Sequence, residues 1–245
     1  MFELNGKTAL IVGASRGIGL AISRAVAEAG AHTIIAGRSI DKLRAEAEAL
    51  HGQAIELDVT ALTPETKLPE ADILINVTGT NIRKAFVDYS AAEYEHIMNT
   101  NLHGLAFLTQ RVGAGMIERG RGGKIVFIGS LASIVGLPWL VIYAMTKSAL
   151  AGLTRSLAAE WGRYGIQVNC IAPGFILTDL NRAMWQGPEM KQWLEGAQAI
   201  PRMGRPEDVA PLAVFLSGAG SDYITGQVIP VDGGYSTAAN WPFKP

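Results

Sequence analysis

The chain has 245 residues, 49% hydrophobic and 18% charged, enough to fill one substantial core and too apolar for a disordered chain. A formal net charge of −1 offers no electrostatic ground for nucleic acid or an anionic membrane as partner. The single cysteine, Cys170, excludes an intramolecular disulfide; its place between Asn169 and Ile171 reads as a buried strand position and favours a reducing compartment.

In chain order, short apolar runs alternate with helical stretches. A strand at 8–12 leads to a helix at 18–29, and a strand at 33–36 to a helix at 41–50. A third run, 54–57, reaches the strand 72–75 through a connection that is tight for a crossover and contains Thr63-Pro64, which predicts a short or irregular covering segment. A helix at 91–97 runs into another through 110–119, followed by the strand 125–128, a helix at 141–161 and the strand 167–171. A loop with helical character to about 195, a helix at 206–216 and a strand at 227–231 complete the chain. Alternation of this kind specifies an α/β fold: a doubly wound parallel sheet in a three-layer αβα sandwich, with right-handed crossovers, as a single domain over 1–245.

Residues 125–145 carry no charge, a length that can span a bilayer, but Gly129, Ser130, Ser133, Gly136 and Pro138 divide them into strand, loop and helix start. The N-terminus, with Glu3 and no long apolar region, does not read as a signal peptide.

The first strand ends in Gly13-Ala14-Ser15-Arg16-Gly17-Ile18-Gly19, and a helix begins at once. Glycines there permit a tight turn and close backbone approach to a pyrophosphate, which sits among the free N–H groups of the helix start. The pattern is G-x-x-x-G-x-G rather than G-x-G-x-x-G. After the second strand, where an NAD site usually places an acid, stand Arg38 and Ser39, with Arg16 in the loop opposite. Two guanidinium groups suit a 2′-phosphate, so NADP(H) is expected over NAD(H).

Tyr143 and Lys147 are four residues apart and share a helix face, thirteen residues and more beyond Ser130. A neighbouring ammonium is expected to lower the phenol's pKa and make Tyr143 an acid or base near neutral pH. None of His32, His51, His96 and His103 pairs at metal-ligand spacing, so no metal is expected.

With Leu57-Asp58-Val59, Asn76-Val77-Thr78-Gly79, Asn101-Leu102-His103-Gly104 and Pro173-Gly174 added, the chain resembles the short-chain dehydrogenase/reductase family over nearly its full length. Its nearest likeness is to gluconate, sugar and carbonyl reductases. The resemblance implies hydride exchange between a nicotinamide and a ketone or keto-sugar carbonyl, interconverted with a secondary alcohol. It implies a tetrad of Asn101, Ser130, Tyr143 and Lys147. Tyr143 is the general acid or base, and Lys147 lowers its pKa and holds the nicotinamide ribose. Ser130 donates to the carbonyl oxygen, and Asn101 ties a water to Lys147 in a proton relay. Ser130 and Tyr143 are thus also the substrate-binding residues. For the cofactor it implies Asp58 and Val59 at the adenine, Asn76 and Gly79 along the channel, Pro173 and Gly174 beside it, and Ile176 with Thr178 at the carboxamide.

Val12, Val77 and Thr78 depart from the family pattern and predict altered sheet packing. Ser133 competes with Ser130, but only the 130–143 spacing matches the family. Residues 177–201 are expected to form a substrate lid whose Leu180, Met184, Trp185, Met190, Trp193 and Leu194 face either a ligand or the protein. Leu131, Pro138, Trp139 and Phe175 imply an apolar pocket open to bulky ketones. Alternatives are a 3-oxoacyl-carrier-protein reductase, although such enzymes often carry Arg where Tyr164 stands, and a catalytically silent NADP-binding regulator, against which Tyr143 and Lys147 both speak. The resemblance further implies a cytoplasmic homotetramer or homodimer. Its contacts would be the helices near 101–119 and 143–161 and the last strand, with Gly113, Gly115 and Ala158 allowing close helix approach and Trp241-Pro242-Phe243 buried across subunits.

Overall fold

The first strand, β1 (Thr8–Val12), turns alternate side chains to opposite faces. Ala9 and Ile11 enter one apolar cluster, and Leu10 and Val12 another. Burial on both faces is what an all-parallel sheet requires. Around β1 the computed structural model assembles β2 (His32–Gly37), β3 (Gln53–Glu56), β4 (Ile73–Asn76), β5 (Gly123–Ile128), β6 (Ile166–Pro173) and β7 (Val228–Val231). All pair in parallel, in the order β3-β2-β1-β4-β5-β6-β7. The structure describes residues 2–179, 181–185 and 187–238, with the side chains of 183, 184 and 191 excepted. The expectations for Leu180, the Met184 side chain and the tail Trp241-Pro242-Phe243 lie outside the described residues.

One cluster takes the apolar faces of α1 (Gly17–Glu28) and α2 (Ile40–Ala49), and of α8 (Pro206–Ser217), which opens with Pro206 at its first turn. The other takes those of α4 (Gly104–Arg119) and α5 (Val141–Trp161). The predicted helix at 110–119 therefore starts earlier. Upstream, α3 (Ala91–Met98) is opened by a capping box between Ser90 and Glu93, and a π turn over Asn99–His103 joins it to α4. Gly104 sits at that join because a Cβ there would stand 2.5 Å from the Val59 carbonyl oxygen. The tight β3–β4 connection holds only a single 3₁₀ turn, Val59–Ala61, as its regular structure.

The chain runs outward from β1 to β3 and returns to β4 on the other side of β1, so a crevice opens at the C-terminal ends of β1 and β4. Val12 is level with both Ala36 and Asn76, and Phe127 with Asn76 and Cys170, so the C-terminal parts of β1, β2, β4, β5 and β6 come level with one another. Two small residues expected at a subunit contact turn inward instead. A Cβ on Gly113 would lie 2.4 Å from the Trp161 ring, and Ala158 is buried, so both make room for the protein's own core. Among the described residues, no helix is long and apolar enough to cross a membrane.

Candidate active site

The glycine loop fills the turn from β1 to α1. Gly13 adopts φ +92°, and a Cβ there would lie 2.6 Å from the Thr78 backbone nitrogen. At Gly19 a Cβ would meet the Gly13 carbonyl oxygen at 2.1 Å, so the helix start can pack against the turn only without a side chain. The first turn of α1 holds no acidic residue, and Arg16 at its N-cap makes no side-chain cap. Its free N–H groups are therefore matched to an anion. Ser15, Gly17 and Ile18 lie half-buried around them.

Arg16, Arg38 and Ser39 are exposed at the outer edge. Among the described residues neither arginine has a carboxylate within ion-pair distance. Asp58 caps the turn Val59–Ala61, accepting from the Thr60 N–H (2.9 Å) and hydroxyl (2.7 Å). Partial burial pushes its carboxyl up, but the Thr60 bonds and the charge of Arg38 hold it below the ordinary carboxylate value. Val59 is buried beneath it.

On the far side of the crevice, Ser130 follows β5 and begins the turn Leu131–Ser133, its Oγ accepting from the Ala132 N–H at 3.1 Å. Its side chain is close enough to the Tyr143 phenol on α5 to act on the phenol's protonation. The Ser133 hydroxyl instead donates back to the Ser130 carbonyl, so it is committed to the backbone. Lys147 is 3% exposed; its Nζ donates to the Ile128 carbonyl oxygen at 2.9 Å and lies 5.6 Å from the Tyr143 ring centre. Burial pulls the Lys147 ammonium down to about 8. It also pushes the Tyr143 phenol above its ordinary value, with the neighbouring Ser130 side chain acting the other way. The tyrosine is thus raised rather than lowered, because burial, which sequence spacing does not register, sets its direction.

Asn101 lies in the π turn, fully buried. Its Oδ1 accepts from the Thr80 N–H (2.7 Å), and its Nδ2 donates to the Thr80 carbonyl (2.8 Å) and the Thr146 hydroxyl (3.2 Å). The side chain is thus a clamp on the strand extension after β4 and leaves one acceptor site free. Through it Gly79 is set beside the lysine: a Cβ on Gly79 would be 3.4 Å from Lys147 Nζ and 3.7 Å from Asn101 Oδ1. Asn76 corrects the expectation of a channel-lining side chain. It is fully buried and donates to Thr109 on α4 at 3.0 Å, which supports the β4 end.

Past β6, the Gly174 N–H donates to Val231 at 3.0 Å, which ties the Pro173-Gly174 turn to β7. Ile176 is buried and bridges to Gly204. Thr178 packs its methyl where a Gly17 Cβ would come within 3.3 Å, bringing this segment against the glycine loop. Asn181, not singled out from sequence, fixes both: its Oδ1 accepts from the Thr178 N–H and its Nδ2 donates to the Ile176 carbonyl, each at 2.8 Å. The segment beyond forms α6 (Arg182–Trp185) and α7 (Pro188–Ala197). Trp185 and Trp193 pack against Phe175 with ring centres 5.2 and 5.0 Å away, and Tyr235 joins at 5.0 Å. Leu194 is buried. Thr80, Thr146 and Asn181 escaped sequence reasoning because their partners are backbone groups or distant in the chain.

A family model described as enoyl-(acyl carrier protein) reductase matches residues 13–236. The chain is 36% identical to gluconate 5-dehydrogenase of Gluconobacter oxydans strain 621H, covering 97% of this chain and 98% of the relative. A tropinone reductase homolog of Arabidopsis thaliana is 38% identical, over 96% and 94% respectively. The structure of a gluconate 5-dehydrogenase from Burkholderia cenocepacia J2315, in complex with NADP and tartrate, superimposes with a TM-score of 0.90 at 35% identity, covering 97% of this chain and 98% of that one.

Proposed function

The chain belongs to the short-chain dehydrogenase/reductase family, and from that premise we propose that it interconverts a ketone or keto-sugar carbonyl with a secondary alcohol using NADP(H). The observation that carries the reading is one constellation: the Ser130–Tyr143 hydroxyl pair with Lys147 beside the ring, at the edge of a cradle whose glycines leave no room for a Cβ.

The cradle fits the cofactor. The loop from Gly13 to Gly19 and the start of α1 would hold the pyrophosphate, Asp58 and Val59 would flank the adenine, and Arg16 with Arg38 would grip the 2′-phosphate. Ile176, Thr178 and Lys147 would position the nicotinamide end. When bound, NADPH supplies the hydride for reduction.

This chain's residues handle the proton and the charge. Ser130 Oγ steadies the carbonyl oxygen as negative charge develops on it. Tyr143 Oη transfers its proton to that oxygen, and in the reverse direction accepts it from the alcohol. Lys147, close to half-protonated near pH 8, places a positive charge beside the phenolate that forms. Ser133, turned away, takes no part. An acyl-carrier-protein substrate is the second reading, favoured by the description of the matched family model.

The test is loss of NADPH absorbance with a panel of ketones, keto-sugars, keto-sugar acids and a 3-oxoacyl thioester, beside Tyr143→Phe. Wild type is expected to turn over at least one carbonyl, with kcat falling roughly 10²–10⁴-fold in the variant. Equal inactivity of both while NADPH still binds would make the protein a cofactor-binding module instead.

A further inference from the structure

We propose that Thr146 is a positioning residue for the Tyr143–Lys147 pair, its hydroxyl linking Asn101 to the first turn of α5. The inference rests on the oxidoreductase reading above and deepens it. Thr146 is fully buried between the two reacting residues in sequence. The buried hydroxyls of Ser23, Thr154 and Ser217 each donate to the carbonyl four residues back, within their own helix. Thr146 departs from that habit in two respects. Its Oγ1 donates to the carbonyl three residues back, at 2.7 Å, and that carbonyl belongs to Tyr143. Its acceptor side receives Asn101 Nδ2 at 3.2 Å, from a residue 45 positions away.

The hydroxyl therefore completes a chain of bonds. The backbone of Thr80 is clamped by Asn101, Asn101 is held by Thr146, and Thr146 is fixed to the main chain of Tyr143. Gly79, next to the clamped residue, borders Lys147 Nζ. Without the hydroxyl, one N–H of the buried Asn101 amide loses its partner, and such a group turns in search of another. Turning it releases Thr80 and Gly79 on one side and the first turn of α5 on the other, so the lysine and the tyrosine lose their common reference. Thr146 itself need not touch a substrate or cofactor for this to matter.

Thr146→Val keeps the shape and removes the hydroxyl, and Thr146→Ser keeps the hydroxyl and removes the methyl. With NADPH and a carbonyl that wild type reduces, Thr146→Val is expected to lower kcat about tenfold or more, with KM for NADPH within about threefold, and to shift the pH profile of kcat. Thr146→Ser is expected to recover kcat to within about threefold of wild type. Thr146→Ala, which also lacks the hydroxyl, replaces the valine variant if that one does not fold. A second readout does not need turnover: the Tyr143 phenol titration followed by carbon NMR on labelled tyrosine, assigned with Tyr143→Phe. A titration shifted in Thr146→Val but not in Thr146→Ser supports the linkage even if no carbonyl in the panel is reduced, in which case only the functional reading falls. The linkage is overturned if kcat, pH profile and titration are unchanged in Thr146→Val, or if Thr146→Ser is as impaired as Thr146→Val.

Discussion

The crevice has two sides built on different principles. On the inner side, Asn101, Thr146 and Lys147 are buried among β4, β5 and α5, and each polar side chain is bonded to backbone or to another buried group. On the outer side, Arg16 and Arg38 stand in solvent with no ion-pair partner among the described residues. Nearby, Trp185 of α6 and Trp193 of α7 pack against Phe175, and Trp193 also meets Tyr235. The residues assigned to proton transfer are thus anchored in the core, where displacing one disturbs packing. The residues assigned to recognition sit where substitution costs the fold little. Chemistry and selectivity become separable, and that separation can be tested.

The largest effect is expected from Arg38→Asp. It removes charge-assisted bonds to a 2′-phosphate worth about 1.5–3 kcal/mol each and adds a repulsive carboxylate. The ratio of kcat/KM for NADP over NAD should fall by about a hundredfold or more, while stability shifts by no more than about 0.5 kcal/mol, as for other exposed sites. Steady-state kinetics with both cofactors check this, and an unchanged ratio removes Arg38 from cofactor selection.

Trp193→Ala probes the segment that carries α6 and α7. The indole is 39% exposed and meets Phe175 edge-on, a pair worth about 0.5–1.5 kcal/mol beyond the area it buries. KM for the carbonyl substrate should rise up to about tenfold, with kcat altered less. A fall in kcat at constant KM would place this segment with the inner side and break the division.

The smallest effect concerns stability on the inner side. Lys147 is held near 8, below its ordinary 10.5, so between those values the folded chain binds fewer protons than the unfolded one. The cost of burying its charge is complete below pH 8 and is relieved as pH rises through it. Relative to Lys147→Met, wild type should therefore gain about 1 kcal/mol between pH 8 and pH 9, read by urea unfolding of both proteins. Cys170 is pushed up to about 11 by burial although the Lys147 charge acts the other way, so it stays protonated between pH 8 and pH 9 in the folded state of both proteins and adds little to the difference. A flat difference would mean the ammonium is better solvated than its 3% exposure implies.

Much of this was legible in the sequence because the signals are local. Period-two and helical patterns place seven strands and their covering helices, since side-chain direction follows backbone geometry. The glycine spacing marks the turn at β1, because only glycine permits the approaches at Gly13 and Gly19. The interval between residues 130 and 143 separates Ser130 from Ser133, and the structure turns the second hydroxyl to the backbone. Less legible was whatever depends on long-range packing. Asn101 meets Thr80 and Thr146 from 21 and 45 positions away. Asn76 faces Thr109 rather than the channel, and Gly113 accommodates Trp161 rather than a partner helix.

The sequence by itself determined the architecture and the glycine turn and pointed to the side chains proposed to react, because spacing, turn chemistry and residue type are properties of short segments. Tertiary structure alone decided which way those groups are tuned. Burial raises Tyr143, against the lowering that its spacing from Lys147 suggested, and lowers Lys147, because desolvation is set by everything that packs around a group and not by its neighbour along the helix.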